Sequence, residues 1–227
     1  MASEPFRIAR YLGVLLLICA LILLLVNPKP ANNLPKDFYT PIIAFEFIQT
    51  PQEVAAFFDI PDVNSYIRTM LLGNWIDYGF MVLYSALLFF IALGIKRISG
   101  AQTMLLAFVC CITMLVFDAL ENYQIHLIIT HYKNQAISGN LALLNIFTWL
   151  KWSSIASAFL VFSPFFLKGK WFHKIIGCLC ISCFVLGIAA FVRHGLLNEL
   201  FAGNVVLVFL LLVIFAFTNQ ERISTTL

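Results

Sequence analysis

The stretch "TMLLAFVCCITMLVFDALENYQIHLIIT", residues 103–130, decides the fold of this chain. It is long enough to cross a bilayer as a helix, because about 20 apolar residues span the hydrocarbon core. Its second half nevertheless carries two carboxyls and an amide, at Asp118, Glu121 and Asn122, and His126 follows one turn later. The segment therefore predicts a transmembrane helix with ionisable groups inside the membrane.

The composition of the whole chain agrees with a membrane protein. Of 227 residues, 62% are hydrophobic and 11% are charged, and the mean hydropathy is +0.95. A soluble domain of this size carries about 25% charged residues, so this chain has too few to cover a surface that faces water. The formal charge of +3 is small and dispersed, which excludes nucleic acid as a partner.

Six apolar runs have the length of a membrane span, and the sequence therefore predicts one all-α domain, a polytopic transmembrane helix bundle over residues 1–227. The runs cover residues 8–26, 75–95, 103–130, 141–167, 172–193 and 202–218. The first follows Arg7 and Arg10, as a secretory signal would, but no cleavage site of small residues comes after it. We expect it to stay as the first transmembrane helix.

Residues 27–74 form the one sizeable segment outside the predicted spans. Within it, Thr50, Pro51 and Glu53 are typical of a capped helix start, and we expect a short helix over about 51–59 that ends near Pro61.

The preceding "PIIAFEFIQ" is too apolar to float in water, so we expect it on the membrane surface or across the helix ends. Its Glu46 either faces the polar groups of the bundle or is solvated, and the sequence leaves both open.

The distribution of Lys and Arg predicts the orientation, because short cytoplasmic loops are rich in both. With a cytoplasmic N-terminus, eight basic residues lie inside and five outside: Arg7, Arg10, Lys96, Arg97, Lys168, Lys170, Lys174 and Arg222 against Lys29, Lys36, Arg68, Lys133 and Arg193. We therefore expect a multi-pass protein of the inner (plasma) membrane with both termini in the cytoplasm and residues 27–74 outside.

Helical spacing and depth predict a polar cluster. Asp118, Glu121 and Asn122 share one helix face, since residues three and four apart are neighbours. Asp118 lies about 21 Å above the inner end of its span, and Lys151 lies about 15 Å below the outer end of the next, at mid-membrane. A lysine can extend its ammonium several ångströms toward an interface, so Asp118 is the nearest acid and the two should pair. Asp77, in "NWIDYGF", lies near the level of Glu121.

Further candidates surround this cluster. Tyr78, Tyr84 and Asn122 are expected hydrogen-bond partners, and His126 and Arg193 are possible accessory groups.

Three acids, Asp77, Asp118 and Glu121, face one lysine, and an uncompensated carboxylate in hydrocarbon is costly. Protonation, a bound cation, Arg68 or Arg193 folding in from outside, or a water-filled cavity would each relieve the excess. We expect Glu121 to line a cavity that opens to the outer side.

No metal or cofactor is expected. All six cysteines lie inside apolar runs, where they act as packing residues. Cys178, Cys180 and Cys183 are spread around a helix, which disfavours a soft-metal site. His126 and His131 could form an outward metal or acid–base site, although interfacial, solvated histidines are commoner.

Several of these motifs recur together elsewhere. "NWIDYGFMVLYSALLF", "FDALEN", Phe45-Glu46-Phe47 and a lone lysine in the following span resemble a widespread set of small bacterial polytopic membrane proteins. The resemblance covers about residues 40–165 and excludes the last two helices. It implies that the Asp-Tyr pair, the Asp-x-x-Glu-Asn motif and the intramembrane Lys act together, and it implies no reaction.

Three classes of function fit this sequence. The first is an outward-facing pocket that binds or transports a proton, a cation or a lipid headgroup. The second is a membrane enzyme for a lipid-like substrate, against which the lack of an evident nucleophile counts. The third is a structural or assembly subunit that uses its polar cluster only to fix packing, with a second copy or a membrane complex as its partner. The first class leads, and the lipid bilayer is a partner in all three.

Overall fold

Eight α-helices make up most of the chain in the computed structural model, which describes residues 3–28, 34–134 and 137–218. They are α1 (Ser3–Val26), α2 (Pro41–Glu46), α3 (Pro51–Phe57), α4 (Val63–Ser99), α5 (Met104–His131), α6 (Ser138–Leu167), α7 (Trp171–Val192) and α8 (Leu196–Thr218). A short 3₁₀ turn, Tyr132–Asn134, follows α5. The described residues contain no β-strand.

Six of the described helices, α1 and α4 to α8, are long and apolar enough to cross a membrane. The chain is therefore a polytopic membrane protein with a helical-bundle fold. The six helices form a ring in which α1 packs on α4, α4 on α5, α5 on α6, α6 on α7, α7 on α8, and α8 again on α1. This ring leaves its interior available to side chains from several helices.

The helices α4 and α8 begin more than five residues earlier than the hydrophobicity of the sequence predicts. The second span, expected at 75–95, belongs to a helix that starts at Val63, because the Asp62 carboxylate accepts the Ser65 N–H and caps it. The last span, expected at 202–218, starts at Leu196, directly after a reversal at Gly195 (φ +100°). Both early turns lie at the ends of the bundle, where helix does not require a fully apolar sequence.

Residues 34–60 cover one end of the ring, which we call the capped end. The α3 helix is shorter than the expected 51–59, and the Thr50 hydroxyl accepts the Glu53 N–H at its start while the Glu53 carboxylate accepts the Thr50 N–H. The α2 helix packs against α6 and α8, and Glu46 at its end reaches Thr148 within α6. Of the predicted orientation signals, Lys29 and Arg222 lie outside the described residues, as does part of segment 27–74.

A polar layer separates two apolar cores along three helices. On α5, Met114 belongs to the larger core and Ile125 to the core beneath the capped end, with Asp118 and Glu121 between them. The same order recurs on the two neighbouring helices. On α4, Asn74 and Asp77 lie between Met70 of the core beneath the capped end and Met81 of the larger core. On α6, Thr148 and Lys151 lie between Leu144 and Ile155 of the same two cores. The layer therefore lies closer to the capped end than to the opposite end.

The packing of α1 on α4 generates a test of the ring. A Cβ at Gly94 would lie 2.5 Å from the ring of the buried Phe6, whereas nothing lies within 4 Å of a Cβ at Gly79 on the same helix. We expect Gly94→Leu to destabilise the protein by about 1–3 kcal/mol through overpacking, and Gly79→Leu to have little effect. Thermal unfolding of both variants in detergent checks this, and equal melting temperatures would contradict the packing of α1 on α4.

Candidate functional site

The ammonium of Lys151 lies at the centre of the polar layer. Its Nζ is 3.1 Å from Glu46 Oε2 and 3.4 Å from Asp118 Oδ1, and it also forms an ion pair with Glu121 Oε2. The lysine is only 6% exposed. An ammonium has three N–H donors, which equals the number of carboxylates that surround this one. The pairing of Lys151 with Asp118 expected from depth is present, but it is one of three.

Glu46 reaches this cluster from α2, which decides the question that the sequence left open. Its Oε2 also accepts the indole N–H of Trp152 at 2.9 Å, and its backbone carbonyl accepts the Thr148 hydroxyl. Glu199 of α8 fixes the other end of α2, because its carboxylate accepts the N–H groups of Tyr39 and Thr40 and the Thr40 hydroxyl. The α2 helix is thus held at both ends by hydrogen bonds to carboxylates.

Glu121 differs from the expectation that it lines an outward cavity. Its side chain is fully buried, at 0% exposure, and its Oε1 accepts the Thr148 hydroxyl at 2.6 Å. The physical reason is its place between α5 and α6, directly beneath α2, where Lys151 and Thr148 occupy its surroundings. That expectation was therefore wrong, and the cavity is lined by other acids.

Asp118 and Asp77 connect the cluster to α4. The Tyr84 hydroxyl donates to Asp118 Oδ2 at 2.5 Å. Asp77 does not contact Lys151 but accepts the Asn122 side-chain N–H at 2.7 Å. The backbone carbonyl of Asn122 in turn accepts the Asn74 side-chain N–H at 3.0 Å. Asn122 of α5 therefore forms hydrogen bonds to both Asn74 and Asp77 of α4.

Three other predicted residues lie apart from the ion pairs. The Tyr78 hydroxyl donates to the Ala119 carbonyl at 3.4 Å rather than to a carboxylate. The His126 ring lies beside that of Trp75, with ring centroids 6.0 Å apart. Arg193 is exposed at the end of α7 and, like the exposed Arg68, forms no ion pair among the described residues.

The cluster carries more acid than base. Four carboxyls, Glu46, Asp77, Asp118 and Glu121, lie near the single ammonium of Lys151. At Glu46, which lies outside the spans, burial raises the pKa of the carboxyl, and the Lys151 ammonium and the Trp152 N–H only partly oppose that effect. One shared ammonium therefore does not compensate all the buried carboxyls.

A cavity of about 300 Å³ adjoins the cluster. Its polar lining consists of Asn27, Glu46, Asp77, Tyr84, Asp118, Lys151 and Trp152. Aliphatic and aromatic side chains of α1, α2, α4, α6 and α8 form the remaining walls. Two of them, Leu24 and Val206, are 77% and 58% exposed on the outer surface of the bundle. The cavity therefore reaches the lipid-facing surface between α1 and α8, beneath α2.

Five residues of the site were missed in the sequence, among them Asn27, which follows α1 and lines the cavity. Thr148 and Trp152 lie three residues before and one residue after Lys151, so the spacing rule that grouped Asp118 with Glu121 would have placed Thr148 beside Lys151. Asn74 lies three residues before Asp77 on α4 and could have been found in the same way. Glu199 carries no such signal, because its partners lie 160 and 159 residues away.

Comparisons with protein-family models, with curated proteins and with solved structures found no match to this chain. The resemblance to small bacterial membrane proteins therefore remains a prediction.

The three ion pairs generate a prediction about stability. Lys151→Met removes the ammonium and leaves Glu46, Asp118 and Glu121 facing one another, and breaking a buried ion pair costs about 3–5 kcal/mol. Because protons can neutralise the orphaned carboxyls, the loss should be larger at about pH 8 than at about pH 5. Thermal unfolding in detergent at the two pH values measures it.

Lys168→Met provides the control, since Lys168 is an exposed lysine after α6. Its melting temperature should match that of the parent protein at both pH values. A stable Lys151→Met protein with no pH dependence would contradict the central position of the ammonium.

Proposed function

We propose that this protein binds a membrane amphiphile, with the polar head of the ligand at the acid–lysine cluster and its tail between α1 and α8. The observation that carries the proposal is the cavity, which joins a charged wall to a lipid-facing opening. Of the proton, cation and lipid headgroup that the sequence leads us to expect as ligands, the proposal selects the lipid headgroup. No cofactor has a part in it.

The apolar residues that line the cavity are evidence for the proposed position of the tail. Ligand sites are concave, mostly apolar and provided with a few polar groups that fix orientation. Ala202, Val205 and Val206 of α8 and Leu23 and Leu24 of α1 supply the apolar part. An acyl or alkyl chain in contact with these residues would remain in contact with surrounding lipid at the opening.

The cost of the polar layer supports a functional rather than a purely structural cluster. Ionisable groups within membrane spans are rare and most often serve binding or transport. A layer that served only to fix helix register would be expected to balance its charges, whereas this one has four carboxyls for one ammonium. Asp77 in particular lines the cavity without touching Lys151.

We also propose that the capped end faces the outside and that the opposite end faces the cytoplasm. The opposite end holds the basic residues at the ends of α4 and α6 and at the starts of α1 and α7: Arg7, Arg10, Lys96, Arg97, Lys168, Lys170 and Lys174. Arg97 lies 4.0 Å from Glu4, which brings the start of α1 to the end of α4. Basic residues concentrate on the cytoplasmic side of membrane proteins.

Blocking the opening tests the binding function. Val206→Trp should fill the space beside α1 and lower the occupancy of amphiphile retained by the purified protein by about tenfold, whatever the headgroup. Native mass spectrometry of protein extracted from its host membrane into detergent identifies each retained amphiphile by its mass and measures its occupancy.

Val185→Trp is the matched control, because Val185 on α7 is also 58% exposed but does not line the cavity. It should retain lipid as the parent protein does, and both variants should melt at the parent temperature. Equal lipid retention by the two tryptophan variants would count against the cavity as the binding site.

Cysteine labelling tests the orientation. In a background without the native cysteines, Lys36→Cys should react in intact cells with a maleimide that cannot cross membranes. Arg97→Cys should react only after the membrane is permeabilised, because the two positions lie at opposite ends of the bundle. Labelling of position 97 but not position 36 in intact cells would reverse the proposed orientation.

A further inference from the structure

The hydrogen bonds of the cavity wall restrict the chemistry of its ligand. Three donors on the wall are directed into the cluster and away from a ligand. Tyr84 donates to Asp118, Trp152 donates to Glu46, and the Lys151 ammonium is shared by three carboxylates. Each of these donors lines the cavity, yet each is already engaged by an acid.

The polar groups that remain on the wall are Asp77 and the neutral amide of Asn27. In the part of the chain that the structure describes, Asn122 is the one hydrogen-bond donor to Asp77, and it contacts Oδ2. The other oxygen, Oδ1, is left to accept a hydrogen bond from a ligand. Asp77 is only partly buried, in contrast to the carboxyls around Lys151.

We propose that the ligand head is an alkylammonium, a protonated amine that donates its hydrogen bonds to Asp77 from within the cavity. This inference rests on the proposed binding function and specifies the headgroup. The positive charge would offset part of the acid excess of the cluster, and a charge-assisted hydrogen bond is roughly twice as strong as a neutral one. Asn27, at the end of α1, lies on the same wall and can accept a further N–H.

The polar groups of the cavity wall disfavour a phosphate headgroup and a bare metal ion. Lys151 is the sole cation on the described wall, and three carboxylates already form ion pairs with it. A phosphate would also add negative charge beside uncompensated carboxyls. A bare metal ion lacks a ready set of ligands, since no group of three His, Cys, Asp or Glu in residues 3–28, 34–134 and 137–218 is arranged to hold one.

Binding of matched probes to the full-length protein in maltoside micelles tests the headgroup. The probes are dodecylammonium, dodecanol and dodecyl phosphate, which share one tail, and butylammonium, which shares the head alone. Dissociation constants come from native mass spectrometry. We expect dodecylammonium to bind about tenfold or more tightly than dodecanol, and dodecyl phosphate to bind least.

Two variants locate the effect. Asp77→Asn should weaken dodecylammonium about tenfold and leave dodecanol unchanged, because the amide keeps the volume but loses the charge. Glu4→Gln, an acid-to-amide change in an exposed residue at the opposite end, should alter neither and controls for general attraction of cations. The comparison of the probes on the parent protein stands even where Asp77→Asn fails to fold.

The outcomes separate the two proposals. Equal affinity for dodecylammonium and dodecanol would overturn the ammonium head and leave amphiphile binding intact. Equal affinity for butylammonium and dodecylammonium would support the ammonium head and overturn the tail site, identifying a soluble amine as the ligand. Binding of none of the four probes would overturn both proposals, and an equal effect of Glu4→Gln and Asp77→Asn would overturn the role of Asp77.

Discussion

The shared ammonium of Lys151 holds α2, α5 and α6 together through its three ion pairs. A lone ammonium or carboxylate in low dielectric is costly, and it persists only when it is paired and hydrogen-bonded. Here Glu46 approaches the ammonium from α2, and Asp118 and Glu121 approach it from α5, while Lys151 itself belongs to α6. The ion pairs thereby fix the register of α5 against α6 and bring α2 down onto the ring.

The same arrangement joins stability to binding. The acids that hold Lys151 also withdraw its hydrogen bonds from the cavity, while Asp77, held by Asn122, remains at the wall. The cluster consequently has its ion pairs around Lys151 and presents the carboxylate of Asp77 to the cavity. A pocket with this polarity, open to lipid between α1 and α8, suits a cationic amphiphile better than an anionic lipid.

The sequence predicted those parts of the site that depend on local spacing. Hydrophobic run length predicted the membrane spans, and the three- and four-residue rule grouped Asp118 with Glu121. It could not place Glu46, because that carboxylate reaches Trp152 across 106 positions of the chain through the docking of α2. Nor could it predict the burial of Glu121, which follows from how closely α5 and α6 pack and not from depth alone.

A structure of the protein purified from lipid nanodiscs would show whether an amphiphile occupies the cavity. We expect elongated density between α1 and α8, with its polar end within hydrogen-bonding distance of Asp77 and with Lys151 still among its three carboxylates. A cavity closed by neighbouring side chains, or a Lys151 ammonium directed away from Glu46, Asp118 and Glu121, would contradict this expectation.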